Sequence, residues 1–318
     1  MRAIRQHELG APDVLQMEDV PDPEPGPGRV RIAVEAIGVH LVDTSIRRGE
    51  FFQPTELPST PGREVAGVVD RVGPDVDESM VGRRVVTHLG LGGGGYAELA
   101  VADAAVLHEV PAVLTPQIAV ACIGTGRTAA GVLRLTPIGS DDVVVVTAAT
   151  GGLGALVVRE ARHQGAWVLA LAGGPDKIAV AGRLGADAVV DSRDPHVIGL
   201  VEKSLDGRRP TRVYDGVGGV LATGLHGLLT DDGVLTSYTG LSAADFDGPA
   251  EVRSLLAPDW ADRFGGIRML ETEALERAAD GSRVPLVGRP FALSAAAAVH
   301  RALEERRTVG KVLLDPRR

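Results

Sequence analysis

The chain has 318 residues, 44% of them hydrophobic and 24% charged, with a formal net charge of −9. That length allows two domains with their own cores. The acidic balance argues against nucleic acid or an anionic membrane surface as the main partner. The single cysteine, Cys122, excludes an internal disulfide and a cysteine-built structural zinc site. The first residues, Met1 to His7, lack the apolar stretch of a secretion signal, so a reducing cytoplasm is the expected setting. No apolar run in the sequence approaches the roughly 20 residues of a membrane span.

The first hundred residues read as short strands with turns between them. Residues 21–28, with proline at every other position up to 27, form an irregular loop. Residues 29–36 alternate apolar and polar in the manner of a half-buried strand, and 64–72 and 83–87 are further strands. Four glycines at 92–95 read as a flexible hinge or loop, and 96–101 as the next strand. A partly open β-barrel follows from this pattern.

From about residue 116 helices and strands alternate. The run Asp141-Asp142-Val143-Val144-Val145-Val146-Thr147-Ala148-Ala149-Thr150-Gly151-Gly152-Leu153-Gly154 is the most informative in the chain. Four valines bounded by polar residues predict a strand buried on both faces. A helix over 155–164 follows, stopped by Gly165-Ala166, and then a second apolar strand at 167–172. A strand, a glycine-rich turn and a helix in that order make a dinucleotide cradle, with the pyrophosphate on the N–H groups of Thr150, Gly151, Gly152 and Leu153. Ala149 stands where the fingerprint G-x-G-x-x-G has its first glycine, and Gly151 and Gly154 supply the others.

The second strand ends in Ala172-Gly173-Gly174, without the carboxylate that would hold a ribose 2′-hydroxyl. Lys177, one of only three lysines, lies three residues further on. A cation without a competing acid suits the 2′-phosphate of NADPH; the other reading is an exposed lysine in a helix's first turn. Arg193, just past a third strand at 188–191, is a weaker candidate for the same task. Strands at 212–215 and 233–238 flank a helix over 220–229, and Tyr238, Thr239 and Gly240 should lie near the nicotinamide ribose. The fold class is thus α/β, with a doubly wound parallel sheet of the Rossmann kind. Residues 241–281 resist reading, apart from the aromatic anchors Trp260 and Phe264 and a polar helix over 271–279. The tail predicts a strand at 291–293, a helix over 294–306 capped by Ser294, and a last strand at 308–314.

These pieces together resemble the zinc-free quinone oxidoreductase branch (zeta-crystallin-like) of the medium-chain dehydrogenase/reductase superfamily. The stretches that carry the resemblance are Gly38-Val39-His40-Leu41-Val42-Asp43, residues 61–69, 148–154, Leu184-Gly185-Ala186-Asp187 and residues 309–314. The resemblance implies a GroES-like barrel domain from both termini, residues 1–115 and 282–318. The Rossmann domain, 116–281, is inserted between them, with an active site in the cleft. It also places Lys311 with the cofactor-binding residues and implies a homodimer paired through an outer sheet edge.

Zinc-dependent relatives place a cysteine where His40 stands, a histidine where Arg63 stands and a third ligand near Gly124. Here Arg63 is a cation and Gly124 has no side chain, so no metal is expected. Hydride transfer without a metal suits a quinone or an α,β-unsaturated carbonyl, whose developing charge is delocalised. His40, Asp43, Tyr96 and Thr128 are the candidates around that acceptor. His40 either donates a hydrogen bond or proton, or packs against a ribose. Asp43 orients a neighbour or takes part in catalysis, and Tyr96 either enters the cleft or anchors the barrel edge. Thr128 resembles a threonine that contacts nicotinamide in relatives. The expected function is an NADPH-dependent, metal-free quinone or enone reductase. The alternatives are an enoyl reductase or alcohol dehydrogenase of a biosynthetic pathway, or a low-turnover NADPH-binding sensor or structural protein.

Overall fold

The computed structural model describes residues 1–51, 56–239, 245–255 and 261–318. In chain order the elements are β1 (Arg2–Gln6), β2 (Leu15–Asp19), β3 (Arg29–Val39), α1 (Leu41–Arg48), β4 (Glu64–Val72), β5 (Arg84–His88), β6 (Leu99–Asp103), β7 (His108–Glu109), α2 (Pro116–Ala121), α3 (Arg127–Leu135), β8 (Val143–Val146) and α4 (Gly152–His163). There follow β9 (Trp167–Ala172), α5 (Pro175–Arg183), β10 (Ala188–Asp191), α6 (Val197–Leu205), β11 (Arg212–Asp215), α7 (Gly219–Leu228), β12 (Val234–Ser237), β13 (Glu251–Ser254), α8 (Ile267–Ala279), β14 (Phe291–Ala292), α9 (Ala296–Glu304) and β15 (Val312–Asp315). Trp260 and Gly240 lie outside the described residues.

Two compact units result, Met1–Thr125 with Ala274–Arg318, and Gly126–Glu273. In the second, six parallel strands run in the order β10-β9-β8-β11-β12-β13. This is the dinucleotide-binding order, in which the chain starts at the centre of the sheet and winds outwards both ways. Its core gathers Val145, Leu169, Val213 and Leu235 from the strands with Val201, Ala222 and Leu225 from α6 and α7.

In the first unit the long β3 is the central strand. It pairs antiparallel with β4, β6 and β15, while β5 and β7 extend the sheet beyond β4. One core packs Ile32, Ile37, Val65 and Tyr96. A second joins Ala36, Ala66, Val86 and Leu313 to Ala119, Val120 and Ile123 of the α2 region and to Ala274, Leu275 and Ala278 of α8. That shared packing puts α2 and the last turns of α8 in this unit.

Four expectations are corrected. Residues 92–95 are not a loose hinge: Gly94, Gly95 and Tyr96 donate their N–H groups to Thr60, Gly62 and Pro61 at 2.7, 2.9 and 2.8 Å. Tyr96 lies before β6 rather than in it. Ser294 is not an N-cap, because a 3₁₀ turn at Leu293–Ala295 precedes α9 and no side chain caps it. Finally, α2 and α3 join through a π-helical turn at Cys122–Gly126 into one helical run, Pro116–Leu135. That run is long and apolar enough to cross a membrane by length and composition, but most of it is buried inside the protein.

Candidate active site

In the second unit β8 delivers the chain into the glycine-rich turn. Ala148 has φ +46°, a left-handed backbone that lets the chain reverse there. A Cβ on Gly154 would fall 2.4 Å from the Ala148 carbonyl oxygen, so only glycine lets α4 come this close to the turn. Gly151 is the N-cap of α4, and Thr150 beside it is buried. The first N–H groups of a helix have no helical partner and carry its positive end. The Gly151 N–H already donates to the Ala148 carbonyl at 2.8 Å, which leaves the N–H groups of Thr150, Gly152 and Leu153 as the ones that fit a pyrophosphate.

Sequence reasoning missed the group that braces this turn. Asp215, fully buried at the end of β11, accepts from Thr147 Oγ1 at 2.8 Å and from the N–H groups of Val217 and Gly218 at 3.2 and 2.8 Å. Gly216 N–H in turn donates to Thr147 Oγ1 at 2.8 Å. An acid closing a strand just before Gly216-Val217-Gly218-Gly219 was the available signal. Tyr238 lies over this turn, where a Cβ on Gly216 would be 2.3 Å from its ring, and burial pushes its phenol up. Thr239 follows it and is exposed.

The β9–α5 turn holds Gly173 and Gly174, the latter at φ +88°. The sequence shows no carboxylate here, yet β10 brings one: Asp191 Oδ1 accepts from Gly174 N–H at 3.1 Å. Arg193 bonds both Asp191 oxygens, at 3.2 and 3.1 Å, and lies over Gly174. These hydrogen bonds, from Arg193 first, hold the Asp191 carboxyl at about 2. Lys177 is half-buried in the first turn of α5.

In the first unit, β3 ends at His40, the N-cap of α1, whose N–H donates to Asp43 Oδ2 at 2.8 Å. His40 Nε2 lies 2.6 Å from Glu64 Oε1, and Lys311 Nζ lies 2.9 Å from Glu64 Oε2 and 2.5 Å from His40 Nε2. The two contacts to Glu64 are short ionic approaches without hydrogen-bond alignment. Glu64 is fully buried and Lys311 is 4% exposed. Burial alone would push Glu64 up, but the charges of His40 and Lys311 hold it well below the usual carboxylate range; burial lowers Lys311 despite Glu64. Two glycines make room. A Cβ on Gly124, in the π-helical turn, would meet Glu64 Oε1 at 1.6 Å, and one on Gly38 would meet Glu64 Oε2 at 2.4 Å.

Asp43 is buried and takes two further donors, Arg63 Nε at 3.1 Å and the Tyr96 hydroxyl at 3.2 Å. The reading of Tyr96 as a group entering a cleft is corrected. It is fully buried, and its hydroxyl also lies 3.0 Å from His300 Nε2. Burial first, then Asp43, raises the phenol well above its ordinary value. His300, which sequence reasoning missed, contacts Arg47 Nη1 through Nδ1 at 3.3 Å. The unit thus brings together His40, Asp43 and Lys311 of the expected residues, with the Lys311 ammonium directed at Glu64 and His40. Thr128 stands in the second unit, in the first turn of α3.

Comparison with known proteins adds the lineage. Residues 26–112 match the alcohol dehydrogenase GroES-like domain and residues 184–314 the zinc-binding dehydrogenase family. The chain is 30% identical to a quinone oxidoreductase of Pseudomonas aeruginosa over 325 residues, covering 99% of each. The solved Escherichia coli quinone oxidoreductase complexed with NADPH superposes with a TM-score of 0.85 at 28% identity, covering 99% of this chain and 100% of that one. An NAD-dependent alcohol dehydrogenase structure superposes with a TM-score of 0.82 at 29% identity, covering 99% of each chain.

The zinc implied by the second family's description does not fit these residues. Arg63 and Gly124 are no ligands, and the Glu64 and His40 donors already face the Lys311 ammonium. Among the described residues no group of three or more His, Cys, Asp or Glu could hold a metal.

Proposed function

This chain belongs to the quinone oxidoreductase branch of the medium-chain dehydrogenase/reductase superfamily, and we propose that it is an NADPH-dependent, metal-free reductase of quinones or α,β-unsaturated carbonyls. It is a quinone reductase-like enzyme of pyridine-nucleotide chemistry by that membership. The observation that carries the metal-free reading is the buried Glu64–Lys311 pair, whose ammonium occupies the donors a Lewis acid would need. Acceptors that delocalise incoming charge need no such acid.

The reduced nicotinamide, when bound, supplies the hydride. The α4 N-terminus at Gly151 holds the pyrophosphate, with Thr147 and Asp215 bracing the turn. Lys177 and Arg193 hold the 2′-phosphate; Arg193 also occupies Asp191, an acid of the next strand that would favour a ribose hydroxyl instead. His40, fixed by Asp43, Glu64 and Lys311, presents its imidazole at the start of α1 as a hydrogen-bond donor to the acceptor or the ribose. The reading extends to a homodimer through β13, the last strand of its sheet, and to a cytoplasmic setting, consistent with the single buried Cys122.

The test is oxidation of NADPH and of NADH followed at 340 nm with an ortho-quinone, a para-quinone, an enone and a simple ketone, before and after exhaustive chelation. Quinone or enone turnover with NADPH that survives chelation is the expected result. Ketone turnover, NADH preference or loss on chelation would each overturn the corresponding part.

A further inference from the structure

We propose that Arg63 receives the acceptor's oxygen and stabilises the negative charge that develops on it, an assignment that rests on the reductase reading above. Arg63 lines a cavity of about 30 Å³ together with Asp43, Ile46, Pro61, Gly62 and Gly93. That is about the space of one water molecule. It has room for a carbonyl oxygen.

The wall is fixed in advance. Gly62 has φ +92°, and a Cβ there would lie 2.1 Å from the Tyr96 ring; a Cβ on Gly93 would lie 2.7 Å from the Thr60 carbonyl oxygen. The other cation of the wall, Arg47, is spent: it donates to Gly10 O at 2.9 Å and Glu304 at 2.5 Å and meets His300 at 3.3 Å. Arg63 is held only through Nε, by Asp43, among the described residues, and its side chain keeps 13% exposure. The forked end of the guanidinium is left to the cavity. The two oxygens of Asp43 already take Arg63, Tyr96 and the His40 N–H.

The chemistry needs such a group. As hydride adds to a carbon of the conjugated acceptor, the π pairs shift and the carbonyl pair ends on oxygen. The product is an enolate, which takes a proton from water; from a quinone, that product then tautomerises to the hydroquinone. The nicotinamide loses the two electrons that the acceptor gains. A guanidinium stays charged at every working pH and offers two parallel N–H donors, so a fixed cation does without titration what a metal does elsewhere.

The test uses 4-nitrophenol, whose phenolate mimics that anion and is seen by its own absorbance. Bound to the full chain with NADP⁺, it should ionise about tenfold more readily than in solution. Arg63→Gln should abolish this shift, Arg63→Lys should keep part of it, and NADP⁺ binding should survive in both as a check on folding. In turnover Arg63→Gln should lower kcat by tenfold or more with a smaller change in KM. A probe that binds as the neutral phenol, or a shift unchanged in Arg63→Gln, overturns the assignment. A shift that depends on Arg63 in a chain that reduces no quinone or enone would keep Arg63 as an oxyanion site and remove the acceptor reading instead.

Discussion

Glu64 at the start of β4 and Lys311 just before β15 meet 2.9 Å apart across the strand that separates them. They can do so because the residue of β3 in register between them is Gly38, paired with Glu64 on one side and Leu313 on the other. Removing one partner of a buried ion pair leaves an uncompensated charge, whereas removing both is often close to neutral. Lys311→Met should therefore destabilise the first unit by about 3 kcal/mol. Glu64→Gln combined with Lys311→Met should recover most of that loss. Thermal unfolding of the three proteins checks this, and a double variant no better than the single one would refute it.

Glycines at Gly124 and Gly182 should answer an alanine substitution in opposite ways. At Gly124 the new methyl would sit 1.6 Å from Glu64 Oε1, so the buried cluster must move and the melting temperature should fall by several degrees. At Gly182, exposed in α5 with nothing within 4 Å of the added carbon, alanine should stabilise by about 0.5–1 kcal/mol. Two melting curves decide it.

Cofactor choice should respond to the two cations of the β9–α5 turn. Lys177→Ala should weaken NADPH binding about tenfold or more, at about 1.5–3 kcal/mol for a hydrogen bond to a charged group. Arg193→Ala should act at least as strongly, since it also releases the Asp191 carboxylate to repel the phosphate. NADH titrated in parallel should bind almost unchanged. Equal losses for both nucleotides would remove the 2′-phosphate assignment.

Acid should weaken the first unit through His300. A neutral imidazole there completes one chain of hydrogen bonds, in which Arg47 donates to Nδ1, Nε2–H donates to Tyr96 and Tyr96 donates to Asp43. A second proton would face the Arg47 guanidinium, and burial already lowers the imidazole to about 4. The unfolded chain takes up that proton near pH 6.5, before the folded one does. Stability should therefore fall as pH drops from about 6.5 to about 4, by on the order of 3 kcal/mol, and level off below. His300→Gln should flatten the slope; urea unfolding across that window measures it.

Much of the second unit could be read before any fold was known. The strands Val143–Val146, Trp167–Ala172, Ala188–Asp191 and Arg212–Asp215 were legible to the residue, because a parallel strand covered on both faces must be an unbroken apolar run between polar ends. The first unit was harder. Its strands bulge and bury their faces unequally, so the end of β3, the glycine loop at 92–95 and the seat of Tyr96 carried no period to read.

The sequence by itself determined the βαβ rhythm and the glycine turn that opens a helix, since each depends on residues close in the chain. Only the tertiary structure decided where the charges are satisfied. Asp191 reaches the β9–α5 turn from the next strand, His300 reaches Tyr96 from α9, and Lys311 reaches Glu64 over Gly38. A buried charge takes whatever partner strand register sets beside it, and register joins residues that sequence distance keeps apart.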